Sequence, residues 1–239
     1  MKQTLLLLAL CTSTALAGCA SKAPYVRTVG ELQPGMRIEL RVAGAQVEAY
    51  APLPKQPTQA YTLEATALAA IPPAPTIVPD RRGIVVNAPQ ALADLLVRVP
   101  PGVDLVVRNA IGDIDVSNVG GNVDLATERG SIHALLDGYA QARVGTGNIT
   151  VTMGALAWPG TLRFRDDNGD VTLFVAANAH FHLHLQTGDG TIFTTYGLRG
   201  SSKGSSERID GDIGTPGSQG ISVVVKRGSI RVLRMMPQA

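Results

Sequence analysis

The chain has 239 residues, with 21 lysines and arginines against 19 aspartates and glutamates, a formal net charge of +2. Charge this close to balance argues against a nucleic-acid-binding protein and against a polybasic membrane patch. Two cysteines, Cys11 and Cys19, are too few for a disulfide scaffold, and the length suits one elongated domain or two small ones.

Met1 and Lys2 precede an apolar run from Leu5 to Leu10 and then a region of small residues, which reads as a secretory signal peptide over residues 1–18. Its end, Leu16-Ala17-Gly18-Cys19, resembles the lipobox of bacterial lipoproteins. The resemblance implies cleavage before Cys19, acylation of that residue, and attachment to a membrane through the lipid. Two or three acyl chains anchor stably where one would be marginal. Ala20 and Ser21 follow the cysteine, with no Asp in the position that retains such lipoproteins in the inner membrane, so the resemblance points to the outer membrane. Cys11 leaves with the signal, and the mature chain then has no disulfide. Residues 19–25 make a short tether to a domain over residues 26–239.

Along that domain, Arg37 to Val42 alternates as a strand, placed as a cap on one end, and Gln46 to Tyr50 reads as a degenerate first rung. Prolines recur through a loop-rich insertion over about residues 51–79, with one strand inside it near Tyr61 to Leu68. Alternation returns at Ile84-Val85-Val86 and continues through Leu95, Val97 and Val99, then Val103, Leu105 and Val107. A phrase of glycine, small polar residue and alternating apolar residues follows. Its copies include Gly112-Asp113-Ile114-Asp115-Val116, Gly121-Asn122-Val123-Asp124-Leu125, Gly130-Ser131-Ile132-His133-Ala134, Gly147-Asn148-Ile149-Thr150-Val151 and Gly169-Asp170-Val171-Thr172-Leu173. Gly211-Asp212-Ile213 and Gly228-Ser229-Ile230-Arg231-Val232 read as later copies, separated from the rest by a flexible Gly/Ser loop over Ser201 to Ser206. Strands this short cannot bury an apolar face alone, and stacking at a fixed period lets them share a core. The expectation is an all-β chain forming a single parallel β-solenoid, β-helix-like, built from Gly-Asp-Ile repeats. The tail from Arg234 to Pro237 then either folds over the far end or docks a partner.

The combination of Leu96-Val97-Arg98-Val99-Pro100-Pro101-Gly102, the serial Gly-Asp-Ile copies and the terminal Gly228-Ser229-Ile230-Arg231-Val232 resembles the bacterial "putative adhesin" family of β-strand repeats over roughly Gly44 to Val232. The resemblance implies a parallel β-solenoid in the cell envelope and carries over no catalytic residue.

Placing the apolar residues inside leaves two outward faces. One shows Asp113, Asp115, Ser131, His133, Asn148, Thr150, Thr152, Asp170 and Thr172, and the other shows Asn122, Asp124, Tyr139, Gln141, Arg143, Arg163, Arg165, His180, His182 and His184. His180, His182 and His184 share one side of a strand, about 6.5–7 Å apart, a spacing zinc uses when further ligands converge from elsewhere. The second reading joins Arg143, Arg163, Arg165, His182 and His184 into a site for an anionic ligand such as an acidic glycan or a lipid phosphate. A solvated outer row is the third. Trp158 either stacks a sugar or closes a turn over the core, and Arg165-Asp166-Asp167-Asn168-Gly169-Asp170 reads as a turn, with a cation on its three carboxylates as the other reading. With no free cysteine in the mature chain and no Gly-X-Ser-X-Gly elbow, nucleophilic catalysis has no candidate, and no cofactor is implied. The expected function is an envelope-anchored structural or binding module, not an enzyme, whose partner is an envelope protein or an anionic glycan. A polysaccharide-active or carbohydrate-binding envelope protein is the alternative. Replacing Cys19 by Ala is expected to move the protein from the membrane fraction to the soluble one, and cell fractionation with immunodetection reads this directly.

Overall fold

Apolar and polar side chains alternate along most strands of this chain, and each such strand buries its apolar set on one side only. The computed structural model describes residues 26–53, 57–67, 73–88 and 92–235, and these hold 21 strands. The signal peptide, Cys19, the tether and residues 236–239 lie outside the described residues, while Arg234 and Met235 of the expected tail belong to the last strand, Ile230–Met235. No helix among the described residues is long and apolar enough to cross a membrane.

In chain order the strands are β1 (Val26–Glu31), β2 (Arg37–Val42), β3 (Gln46–Tyr50), β4 (Ala60–Ala67), β5 (Thr76–Asp80), β6 (Gly83–Ala88) and β7 (Leu92–Arg98). There follow β8 (Asp104–Ile111), β9 (Ile114–Val119), β10 (Val123–Arg129), β11 (Ile132–Leu136), β12 (Ala140–Thr146), β13 (Ile149–Met153), β14 (Thr161–Asp166) and β15 (Val171–Ala176). The last six are β16 (Phe181–Asp189), β17 (Ile192–Thr194), β18 (Ser201–Lys203), β19 (Ser206–Ile213), β20 (Gly220–Arg227) and β21 (Ile230–Met235). From β8 to β15 the chain crosses between two sheets at every corner. The ten-stranded sheet runs β1-β4-β7-β3-β9-β11-β13-β15-β21-β17, and the eleven-stranded sheet runs β18-β19-β16-β20-β14-β12-β10-β8-β2-β6-β5.

This arrangement overturns the single parallel solenoid expected from the repeat, while the all-β class stands. Both sheets are mixed. Strands β1, β4 and β7 pair antiparallel in one, and β5 with β6, β16 with β19 and β18 with β19 do so in the other. Sequence order is also broken near both ends. The pair β2 and β3 lies between β6/β7 and β8/β9, so Arg37 to Val42 is an internal strand and not a cap. Likewise β20 and β21 slot between β14/β15 and β16/β17. Gly211-Asp212-Ile213 is no repeat copy, because it closes β19 against β16 in antiparallel register, and the Gly/Ser segment forms the β18–β19 hairpin. The proline-rich region supplies two strands. Strand β4 contains no proline and is paired on both sides, whereas β5 carries Pro79 at a sheet edge, where no ladder donor is needed.

Inward positions from Leu32 to Val232 form one buried cluster that includes Ile38, Leu105, Ile114, Ile149, Phe164, Val171 and Phe181. Trp158 is buried as well. Its Nε1 donates to the Gly220 carbonyl at 3.1 Å and its ring meets Phe181 at 5.6 Å, which leaves it closing the core and not facing a sugar.

The corners explain the repeated phrase. After the corner glycines Gly112, Gly130, Gly147 and Gly169 the small polar side chain accepts the backbone N–H of its counterpart on the next corner. Asp113 accepts from Ser131 at 2.7 Å, Ser131 from Asn148 at 3.2 Å, Asn148 from Asp170 at 2.9 Å, and Asp170 from Ser229 at 2.7 Å. Stacking is close enough that a Cβ on Gly169 would fall on the Gly147 carbonyl oxygen. Gly197, by contrast, has φ +76° and open space around it. Gly169→Ala is therefore expected to cost about 3 kcal/mol or more, and Gly197→Ala only about 1 kcal/mol for its left-handed backbone. Denaturant unfolding midpoints of the two variants compare them.

Candidate functional site

Five parallel strands of the larger sheet, β2, β8, β10, β12 and β14, bury Leu40, Val107, Leu125, Ala142 and Phe164 on one side. The neighbouring position on each strand must then face out. Pairing sets those outward residues side by side as Arg41, Arg108, Ala126, Arg143 and Arg165. A parallel row one step earlier holds Glu39, Val106, Asp124, Gln141 and Arg163. An open groove of about 1170 Å³ lies over the first row, flanked by Asp124, Gln141 and Arg163 on one side and by Ala110, Glu128, Gly145 and Asp167 on the other, and its lining carries five arginines against the three carboxylates of Asp124, Glu128 and Asp167.

The cations are unevenly compensated. Arg108 forms a two-nitrogen pair with Asp124 and also donates to the Asp124 carbonyl at 3.1 Å. Arg41 Nε donates to Glu39 at 2.7 Å. Asp167 serves three cations, with Lys226 at 3.0 Å, Arg165 at 3.4 Å and Arg143 at 4.0 Å. The bond from Lys226 is the main reason the Asp167 carboxyl sits below the usual carboxylate range, with Arg165 adding to it. Arg163 donates to the Tyr139 hydroxyl at 3.1 Å and has no carboxylate within 4.0 Å among the described residues. Positive charge is thus left over around Arg143, Arg163 and Arg165.

The histidines stand apart from this groove. The sequence reading set Arg163 and Arg165 beside them, but β20 intervenes, so Arg163 pairs with Ser222 and Ser222 with His184. On its other side β16 meets an acidic row. His182 Nδ1 lies 2.7 Å from Asp212, and His184 Nδ1 lies 2.8 Å from Asp210, which also takes Arg208 at 3.0 Å. Hydrogen bonding from His184, then from Arg208, holds the Asp210 carboxyl below its ordinary value. His180 precedes the strand, and its carbonyl accepts from Gln219 Nε2 at 3.4 Å. Among the described residues no three His, Cys, Asp or Glu side chains form a group that could hold a metal ion.

Arg143, Arg163 and Arg165 are therefore brought together, and His182 and His184 are not brought to them. Arg41 and Arg108 are the members that sequence reasoning missed. Arg108 had a signal, since it follows the inward Val107 and must face out. Arg41 follows the inward Leu40 in the same way, but nothing local reveals that β2 pairs with β8 and brings it to the groove.

Under the groove, between Arg165 and Asp167, sits Asp166 with no exposed surface. It occupies an inward column shared with Asn109, Thr127 and Val144. Asn109 and Thr127 in that column donate to corner carbonyls, at 3.1 Å to Gly112 in each case. Asp166 Oδ1 accepts from the Asn168 N–H at 2.8 Å, while Oδ2 has no hydrogen-bond partner among the described residues. Burial, with the nearby charges of Asp167 and Asp170 adding to it, raises this carboxyl to about 7. The folded state then holds the proton more tightly than the unfolded chain, where the group titrates near about 4. Stability from this group is full below that value, declines as pH rises towards 7 and levels off above. Asp166→Asn keeps the acceptor and gains a donor like that of Asn109. Relative to wild type it is expected to gain on the order of 2 kcal/mol at pH 8 and little at pH 4, by denaturant unfolding at both values.

No protein-family model and no curated protein sequence matches this chain. Solved structures do align with it. One is described as a "putative cell adhesion protein" from Clostridium sporogenes, with 10% identity and a TM-score of 0.49, over 88% of this chain and 99% of that one. Another, a "putative adhesin" from Bacteroides fragilis, aligns with 9% identity and a TM-score of 0.32, over 87% and 96%. Likeness at this level assigns no function.

Proposed function

We propose that this protein is a non-enzymatic binding module of the bacterial cell envelope, held to a membrane by a lipid on Cys19, whose groove takes an anionic ligand. The observation that carries the reading is the excess of guanidinium groups around Ala126, with Arg163 paired to no carboxylate and Asp167 shared among three cations. Guanidinium offers paired N–H donors that match the two oxygens of a carboxylate, sulfate or phosphate. Small side chains at Ala126, Gly145 and Ala110 leave the floor open to an approaching group. The arginines stand on paired strands of a sheet whose other side is core, so the site is held in place before any ligand arrives. The Lys226, Arg165 and Asp167 contacts at the rim are exposed pairs that an incoming anion can replace at small cost.

The reading requires binding that weakens as salt rises. Arg163→Ala/Arg165→Ala is expected to reduce affinity for sulfated or uronate-bearing polymers by about tenfold or more at low salt, with the unfolding midpoint little changed. Titration calorimetry on wild type and variant measures it. Equal affinity in the two proteins, or no binding by wild type, would overturn the anionic site.

A further inference from the structure

Building on that anionic reading, we propose that the ligand is a linear acidic polysaccharide lying across the strands, with successive anionic groups received by the Arg41/Arg108 pair and the Arg143/Arg165 pair. Register is the starting point. Arg41 is directly beside Arg108, Arg108 beside Ala126, Ala126 beside Arg143, and Arg143 beside Arg165. At about 4.8 Å between neighbouring strands, this row runs about 19 Å, with about 10 Å from Arg108 to Arg143 across the uncharged step. One phosphate or sulfate cannot bridge that span, and a chain of charged sugars can.

The pairing within the row is itself informative. Like charges directly opposite on adjacent strands destabilise a sheet. Here the fold accepts that juxtaposition twice, on either side of a bare alanine, with Glu39 and Asp124 offsetting Arg41 and Arg108 while Arg143 and Arg165 share Asp167 alone. An anionic group meets surplus positive charge over Arg143 and Arg165 and exchanges with the carboxylates beside the exposed Arg41 and Arg108, and Ala126 between them gives a sugar ring a flat place to rest. Gln141, in the adjoining row beside Arg163, supplies an amide suited to hydroxyl groups.

Other polyanions fit less well. Single-stranded nucleic acid binds by stacking bases on aromatic rings, and among the described residues no Phe, Tyr or Trp lines the groove, Tyr139 reaching it only through its hydroxyl on Arg163. An acidic peptide is commonly captured by adding a strand to a sheet edge, and the groove's strands are all paired on both sides.

The test titrates full-length protein with galacturonic acid, oligogalacturonates of increasing length, inorganic sulfate, polyglutamate and a single-stranded oligonucleotide, by calorimetry at low salt. Affinity is expected to rise on the order of a hundredfold from monomer to a chain spanning both pairs, then to level off. Arg41→Gln/Arg108→Gln should remove that length dependence, so that the longest oligomer binds no more tightly than the monomer does to the same variant, and Ala126→Leu should weaken the long oligomers but not sulfate. If monomer and oligomer bind equally while sulfate still competes, the extended chain is wrong and the anionic site stands. If no anion binds, both fall. Polyglutamate or the oligonucleotide binding as tightly as the longest oligogalacturonate would overturn the polysaccharide class. Thermal unfolding of both variants separates a lost site from a lost fold, and Ala126→Leu, which removes no charge pair, keeps the test decisive should the double variant fail to fold.

Discussion

Corners of neighbouring strand pairs lie in contact, backbone against backbone, and everything else in this molecule follows from that approach. Where the Gly147 carbonyl reaches Gly169 there is no room for a Cβ. The small polar residue after each glycine then finds the N–H of its counterpart within hydrogen-bond distance, from Asp113 to Ser229. This contact sets the register. Once corners coincide, every position along a strand has a defined neighbour on the next, and inward residues meet inward residues without slippage. The apolar interior supplies most of the stabilisation, and the corners decide which arrangement of it is reached.

The same register makes the groove. Arginines scattered from Arg41 to Arg165 become a line because each follows the inward residue of its strand. Charge crowded in this way is tolerated because Glu39, Asp124 and Asp167 stand beside it, each bonded to a cation. Asp166 links the groove to the interior. Its carboxyl is buried directly beneath Arg165 and Asp167, in a column where its neighbours donate hydrogen bonds to corner carbonyls. A carboxyl that burial raises to about 7 thus lies within one residue of the groove lining.

Much of this was legible in the sequence at the level of single strands. Alternation correctly turned Ile114, Ile149 and Val171 inward, and the face it gave to Gln141, Arg143, Arg163 and Arg165 is one they share on β12 and β14. Asp166 and Asn168 form the turn that the local residues suggested. What escaped was pairing between distant segments. Strand β2 fits between β6 and β8, and β20 between β14 and β16, because shape and hydrogen bonding across the sheet favour it, and no local pattern announces such a choice. The two intercalations account for the main errors at the site: they bring Arg41 into the groove and take His182 and His184 out of it. Antiparallel closure at both ends was invisible for the same reason, since Gly211-Asp212-Ile213 looks like the repeat and is used as a hairpin arm.

The position of the first strand has a mechanical consequence. Strand β1 is the outermost member of its sheet and pairs along one side only, with β4 running the opposite way. Tension entering the chain upstream of Val26 across the strand direction would peel β1 off bond by bond, each rupture needing little force. Tension entering beyond β21 meets a strand clasped by both β15 and β17, so two ladders must give way together. Under load from its leading segment, the molecule would shed β1 first, and tension would then pass directly to β2, the groove strand that carries Arg41 and is clasped by β6 and β8.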